Sequence, residues 1–152
     1  MKWKLPKTIK VYEALGALAD GRVEATGDTG KVYSSSRKKF YDVSYDPINQ
    51  AIMSNDNASY WQGYLGYPAI AFLIKIGVVS YDKKIADLLA GIAWKELHQK
   101  MKNFDKEWAF ILESKTEAEK KILKDFGEKV MKEIKSLNLS HLGERKLPPT
   151  GD

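Results

Sequence analysis

Apolar residues near the start of the chain recur at intervals of three and four, which predicts a helix over residues 8–19. Val11, Leu15 and Leu18 would share one face of that helix. Pro6 and Thr8 suit its beginning, and Asp20-Gly21 suits its end. This helix is expected to pack its apolar face on the remainder of the domain.

A period of two replaces the helical period after residue 21. Between Phe40 and Tyr45 the residues at positions 41, 43 and 45 are apolar or aromatic, whereas Asp42 and Ser44 point to the other side. Asp46-Pro47-Ile48-Asn49 has the composition of a type I turn. The strands expected on these grounds are 22–26, 31–35, 40–45 and 50–53.

The C-terminal half predicts helices. Residues 69–76 are almost all apolar and lie between Pro68 and Gly77, which favours a buried helix. Residues 114–117 have the form of a capping box and would open a long helix. The apolar stripe of that helix is Leu123, Phe126, Val130, Ile134 and Leu137. The expected fold class is α+β: a small antiparallel sheet of three or four short strands flanked by helices, with a helical C-terminal half.

The same patterns predict one domain over residues 1–141. Within it we distinguish a ββα module at about 21–77 and a helical region at 82–141. Residues 142–152 are rich in proline and glycine and bury little apolar surface, so we expect a disordered tail whose deletion leaves stability nearly unchanged.

Composition removes several classes of site. The chain has no cysteine and only two histidines, His98 and His141, which excludes disulfides, thiolate metal sites and a cysteine nucleophile. We therefore expect no metal and no cofactor. The residues that most general-base and metal strategies use are scarce, which argues against an enzyme, and no catalytic residue is assigned. His98 is expected to be a histidine on a helix surface.

Charge and hydropathy indicate the kind of partner and the cell compartment to expect. The net charge of +5 is weak evidence for a polyanionic partner. The longest apolar run is too short to span a bilayer, and the N-terminus lacks the apolar core of a signal peptide, so we expect a cytoplasmic protein without membrane contact. Lysine outnumbers arginine 22 to 3, a bias that thermophiles and AT-rich genomes share.

The segment 54–68 carries four large aromatic residues in a sequence typical of a loop. Solvated loops seldom hold so many aromatic rings, so this loop either packs on the domain or presents a binding face. Tyr60 and Trp61 could stack on bases or sugars, and they could equally cover the core. Asn55, Asp56 and Asn57 could bind a hard cation, although this composition is more typical of a turn.

A second candidate surface is the run Arg37-Lys38-Lys39 at the expected hairpin tip, next to Phe40 and Tyr41. Basic residues interleaved with aromatic ones are the composition of a nucleic-acid contact. A solvated turn is the alternative, because three cations make a small footprint.

The order of elements between about 21 and 77 resembles a SWIM-type zinc finger. Residues 30–36 and 40–45 look like its two strands, and residues 67–77 look like its C-x-H and apolar helix. Met53, Asn55, Tyr67 and Ala69 stand where the zinc ligands would be. The resemblance therefore implies a zinc-free module in which aromatic packing replaces the metal. The lysine bias suggests an archaeal or hyperthermophile source.

Three function classes follow. The first is a non-enzymatic binding module that touches nucleic acid or another protein through the sheet and the 55–67 loop. The second is a homo-oligomeric structural protein that associates through its C-terminal helices. The third is a small enzyme with a pocket at the 55–67 loop and Asp56 as an acid or a metal ligand.

Overall fold

A computed structural model describes residues 1–150, and over that range the chain forms a five-stranded sheet and six α-helices. The strands are β1 (Val23–Thr26), β2 (Thr29–Tyr33), β3 (Phe40–Asp46), β4 (Ala51–Ser54) and β5 (Ser140–His141). The helices are α1 (Ile9–Ala19), α2 (Tyr67–Lys75), α3 (Lys83–Asp87), α4 (Trp94–Met101), α5 (Phe104–Leu112) and α6 (Glu117–Leu137), with a π-helical turn at Ala58–Gln62. The expected α+β class and helical C-terminal half are confirmed.

The strands lie side by side in chain order, and β1 to β4 are antiparallel. Tyr41, Val43 and Tyr45 of β3 are buried on one face, as the alternation predicts. The side chain of Asp46 accepts hydrogen bonds from the amides of Ile48 and Asn49, which closes the turn between β3 and β4.

The sheet differs from the expected one by a fifth strand that pairs parallel to β4. β5 has only two residues, too few for any periodicity, and it forms because the chain returns to β4 after α6. The N-terminus reaches the same place: the indole of Trp3 donates to the carbonyl of Ile52 at 2.8 Å and stacks on His141. A mixed sheet replaces the expected antiparallel one for this reason.

Helix α2 is the centre of the core. It begins near Pro68 and is buried along residues 68–74, in agreement with the predicted buried helix. One side of α2 packs across β1 to β4, and the other packs against α1. Phe72 lies so close to Gly30 of β2 that a Cβ there would meet the ring at 2.5 Å, so only glycine fits at this crossing.

Helix α6 packs its apolar stripe into the domain, burying Leu123, Phe126, Val130 and Ile134. Its capping box is formed by Thr116 and Glu119, two residues later than the predicted one. Tyr12 of α1 donates its hydroxyl to the carbonyl of Leu123 at 2.9 Å and stacks on Trp108 with ring centroids 3.9 Å apart. These contacts fix α5 and α6 against α1.

The start of the predicted tail contacts the domain. The amide of Leu142 donates to Ile52, and the guanidinium of Arg145 donates to the carbonyl of Tyr60 at 3.1 Å. The division into a domain over residues 1–141 and a disordered tail stays a prediction, and the structure shows that Leu142 and Arg145 contact the preceding residues. Of the helices within residues 1–150, none has the length and hydropathy needed to cross a membrane.

Candidate functional site

A cavity of about 470 Å³ opens at one end of the sheet, where α1, α4, the β2–β3 turn and the loop before α2 meet. Each of these elements contributes polar side chains to its wall. They include Lys10 and Glu13 from α1, Ser34, Ser35, Lys39 and Tyr41 from the hairpin, Asp56 and Asn57 from the loop, Tyr67 from α2, and Trp94, Lys95, His98 and Gln99 from α4. We call this the central cavity. Its volume is within the range of ligand pockets, about 300–1,000 Å³.

The position of α4 over this cavity is fixed by a histidine between two carboxylates. His98 Nδ1 contacts the carboxylate of Glu107 in α5, and His98 Nε2 lies 3.0 Å from Glu13 Oε1 in α1. The second contact is poorly angled for a hydrogen bond, so its attraction is mainly ionic. Glu13 and Glu107 are only 4% and 1% exposed. Three helices are therefore joined at one imidazole.

The pKa values in this cluster move in opposite directions. Burial alone would raise the pKa of Glu13, but the charge of Lys10, whose Nζ lies 2.9 Å from Oε1, and the contact with His98 outweigh it, so this pKa is lowered. Burial alone would lower the pKa of His98, but Glu13 and Glu107 outweigh it, so this pKa is raised. Both shifts favour the charged forms, an imidazolium beside a carboxylate.

Asp56 is a buried carboxylate that organises the loop. Oδ1 accepts hydrogen bonds from the hydroxyls of Ser54 and Ser59 at 2.6 and 2.7 Å, and Oδ2 accepts from the amide of Ser59 at 3.2 Å. Burial raises its pKa despite these bonds. The backbone of Gly66 lies directly against the carboxylate. Asp56 therefore ties the end of β4 to the π-helical turn.

Two phenols, Tyr41 and Tyr67, line the same cavity as Glu13 and Asp56. The rings of Tyr41 and Tyr67 meet edge to face with centroids 6.2 Å apart. Burial is the main cause that raises the pKa of Tyr41 to about 12, and it also raises that of Tyr67, with the charge of Glu13 adding in both cases. Both hydroxyls therefore stay protonated at neutral pH and can donate hydrogen bonds.

Two smaller cavities adjoin the central one. One, of about 320 Å³, shares Lys10, Asn57 and Ala58 with it and is also lined by Lys7, Trp61, Tyr64 and Phe104. The other, of about 350 Å³, shares Ser35, Lys95 and Gln99 with it and is also lined by Ser36, Lys38 and Glu96. We call the three cavities together the lysine groove, after its lysines Lys7, Lys10, Lys38, Lys39 and Lys95.

The groove brings together both surfaces singled out in the sequence. Lys38 lines the cavity at one end of the groove, Lys39 lines the central cavity, and Trp61, which is 67% exposed, lines the cavity at the other end. Asn57 lines the wall between them. The sequence could not show this meeting, because the hairpin tip and the loop are adjacent only after α1 and α4 have packed beside them.

Other predicted site residues have structural contacts. Arg37 lines none of the three cavities, and its guanidinium donates to the carbonyl of Asp20. The side chain of Asn55 accepts from the amide of Asp42 at 2.8 Å and so fixes the end of β4. Tyr60 is half-buried and packs edge to face on Trp61. The prediction that these residues contact a ligand stays a prediction.

The expectation of a surface histidine at position 98 is wrong. The side chain of His98 is 27% exposed and held between two buried carboxylates. Sequence reasoning also missed Glu13, which interrupts the apolar face of α1, and the buried Arg22, whose Nη1 donates to the carbonyl of Tyr33. For Glu13 the sequence did hold a signal: a charged residue inside the apolar face of a predicted helix needs a partner when it is buried.

Over residues 1–150, no three His, Asp or Glu side chains are arranged to hold a metal ion. His98 already contacts carboxylates through both ring nitrogens.

Residues 3–140 match the family described as "Uncharacterised conserved protein UCP014422". The chain belongs to this family. The match spans every element from α1 to α6 and so includes the whole lysine groove. No curated protein and no solved structure matches the chain. The family description names no activity and does not test the SWIM-like resemblance, which stays a prediction.

Proposed function

We propose that this chain is a binding module for single-stranded nucleic acid and that the strand lies along the lysine groove. The observation that carries the proposal is the continuity of the groove: three adjoining cavities share wall residues and are lined by five lysines. A positively charged groove that follows a backbone, with aromatic rings beside it, is the usual form of a single-strand site.

The charge balance of the groove favours an anion. Of its five lysines, only Lys10 pairs with an acid among the residues the structure describes. The acidic side chains in its wall are Glu13, Asp56 and Glu96. Lys10 and His98 engage one oxygen of Glu13, and serine hydroxyls engage Asp56, so both acidic groups already have donors within the protein.

Aromatic rings in the groove supply stacking surface. Trp61 and Tyr64 are exposed, and Phe104 holds the ammonium groups of Lys7 and Lys10 over its face at 5.5 and 5.0 Å. Stacking of an unpaired base on such a ring contributes about 1–3 kcal/mol. Bases in a duplex are already stacked on each other, so this surface favours single strands.

The structure offers less to the alternative of self-association through the C-terminal helices. The apolar stripe of α6 is buried against the domain, so it is engaged within one chain. We therefore give priority to the groove.

The test is a titration of a labelled oligonucleotide of about 12 nucleotides at several salt concentrations, followed by fluorescence anisotropy. Each neutralised phosphate contributes about 0.7 to the slope of log K against log salt, so five contacts would give about 3.5. The double variant Lys39→Ala/Lys95→Ala should lower that slope by about 1.4.

The matched control is Lys124→Ala/Lys129→Ala, which removes two exposed lysines of α6 outside the groove. Equal slopes for the two double variants would contradict the proposal. Affinity no tighter than about millimolar at low salt would do so as well.

A further inference from the structure

Glu13 presents one engaged and one free oxygen. Lys10 Nζ and His98 Nε2 both contact Oε1, at 2.9 and 3.0 Å. No donor within residues 1–150 is hydrogen-bonded to Oε2, and Glu13 lines the central cavity. Oε2 is not among the fully buried polar atoms that lack a partner, so it is reachable from the cavity and can accept from a donor that enters it.

Two donors lie beside this acceptor. The ammonium of Lys10 is fixed next to Glu13. Tyr41 lines the same cavity, and its hydroxyl stays protonated because burial and the charges of Asp56 and Glu13 raise its pKa to about 12. The cavity thus places an anionic acceptor next to a cationic donor. Trp94 and Tyr41 add flat ring surface to its wall.

We propose that the central cavity receives one unpaired guanine base of the bound strand, read by the free oxygen of Glu13. The inference rests on the proposed binding of single strands. The Watson–Crick edge of guanine carries two neighbouring N–H donors, N1–H and the 2-amino group, followed by the acceptor O6. The two donors face the carboxylate, and O6 faces Lys10 or Tyr41.

The other bases match this wall less well. Adenine and cytosine offer one amino group and one ring acceptor, so they satisfy the carboxylate with a single donor. Uracil and thymine have one N–H between two carbonyl oxygens, and the second carbonyl would face the carboxylate. Guanine is therefore the base that best matches this wall: its two N–H donors meet the carboxylate of Glu13, and its O6 acceptor meets the donors Lys10 and Tyr41.

Lys39 and Lys95 line the same cavity, and Lys95 also lines the adjoining cavity of the groove. Neither forms an ion pair within residues 1–150. They are placed to contact the phosphate of the nucleotide whose base is inserted. The site would accordingly take a guanine nucleotide in preference to guanosine.

The experiment is calorimetric titration of the full chain with GMP, IMP, AMP, CMP and UMP. We expect GMP to bind about tenfold or more tightly than UMP, because hydrogen bonds to a charged group are involved. IMP differs from GMP only by the missing 2-amino group, and it should bind several-fold more weakly. This comparison needs no variant, so it stays informative if substitutions at Glu13 disturb the fold.

Two variants refine the result. Glu13→Gln should bring the affinity for GMP down to that for UMP, since the amide donors oppose those of guanine. Lys95→Ala should weaken the binding of GMP and of UMP by the same factor, so that the ratio of the two affinities stays unchanged. Lys129→Ala on α6 is the control for the loss of a positive charge.

Equal affinities for GMP and IMP, or AMP, CMP or UMP binding as tightly as GMP, would overturn the inference. If the oligonucleotide binds with the expected salt slope while the mononucleotides show no base preference, only the guanine site fails. If neither oligonucleotide nor mononucleotide binds, the proposed function fails with it.

Discussion

Replacing His98 by alanine should destabilise the domain, because it removes the common partner of Glu13 and Glu107. Breaking a buried ion pair typically costs about 3–5 kcal/mol, since the remaining charge stays buried. Solvent screens part of this interaction because the His98 side chain is 27% exposed, and Lys10 remains beside Glu13. We therefore expect a loss of about 2–3 kcal/mol in the free energy of unfolding near pH 6.

The loss should depend on pH in a defined direction. The pKa of His98 is raised above its usual 6.5, so its stabilising contribution is complete below pH 6.5 and is lost as the pH rises through the folded-state pKa. The pKa of Glu13 is lowered from 4.5, so its contribution is complete above pH 4.5 and is lost on acidification. The difference between wild type and variant should be largest between these values and smaller at pH 9.

Urea unfolding of both proteins at pH 6 and pH 9, followed by tryptophan fluorescence, measures this difference. His141→Ala is the matched control. Burial, Arg145 and the N-terminal amine lower the pKa of His141, so any contribution from its titration is lost as the pH falls, opposite to His98. A cost below about 1 kcal/mol at both pH values, or a larger cost at pH 9, would refute the assignment of His98 as the charged link between the helices.

Three further predictions concern the scaffold, each measured by urea unfolding. Gly66→Ala should cost about 1–3 kcal/mol, because its Cβ would lie 2.0 Å from Asp56 Oδ2; an unchanged midpoint would mean that the loop moves freely. Trp3→Phe should cost about 0.5–1.5 kcal/mol by removing one of the two donors to the carbonyl of Ile52, which keeps the amide of Leu142, whereas a neutral effect would show that the Trp3 contact is dispensable. Deletion of residues 146–152 keeps the Arg145 contact and should change stability by less than about 0.5 kcal/mol; a larger loss would place those residues in the folded domain.

Much of the fold could be predicted where local patterns and tertiary packing agree. The alternation in β3 and the run of apolar residues in α2 are local signals, and both elements form with small shifts of their ends. β5 could not be predicted, because a two-residue strand is determined only by the neighbour it meets. The contact of Trp3 with β4 depends on the same distant encounter.

The candidate site was only partly visible in the sequence. Composition and turn chemistry pointed to Lys38, Lys39 and Trp61, which are surface residues that need no partner to be recognised. Glu13 and His98 were missed because their roles depend on three helices that come together in space. A buried charge is recognisable in a sequence only by its conflict with the apolar face around it.

The meeting of residues 1–3 with residues 139–142 beside β4 has a consequence for biosynthesis. The amide of His141 donates to the carbonyl of Met1, and Trp3 donates to Ile52 beside β5. Residues 1–3 can therefore make these contacts only after residues 140–142 have been synthesised, and the sheet edge is closed no earlier. Contacts between such distant segments slow folding. Until translation reaches residue 141, the nascent domain presents the open edge of β4 to chaperones and to neighbouring chains.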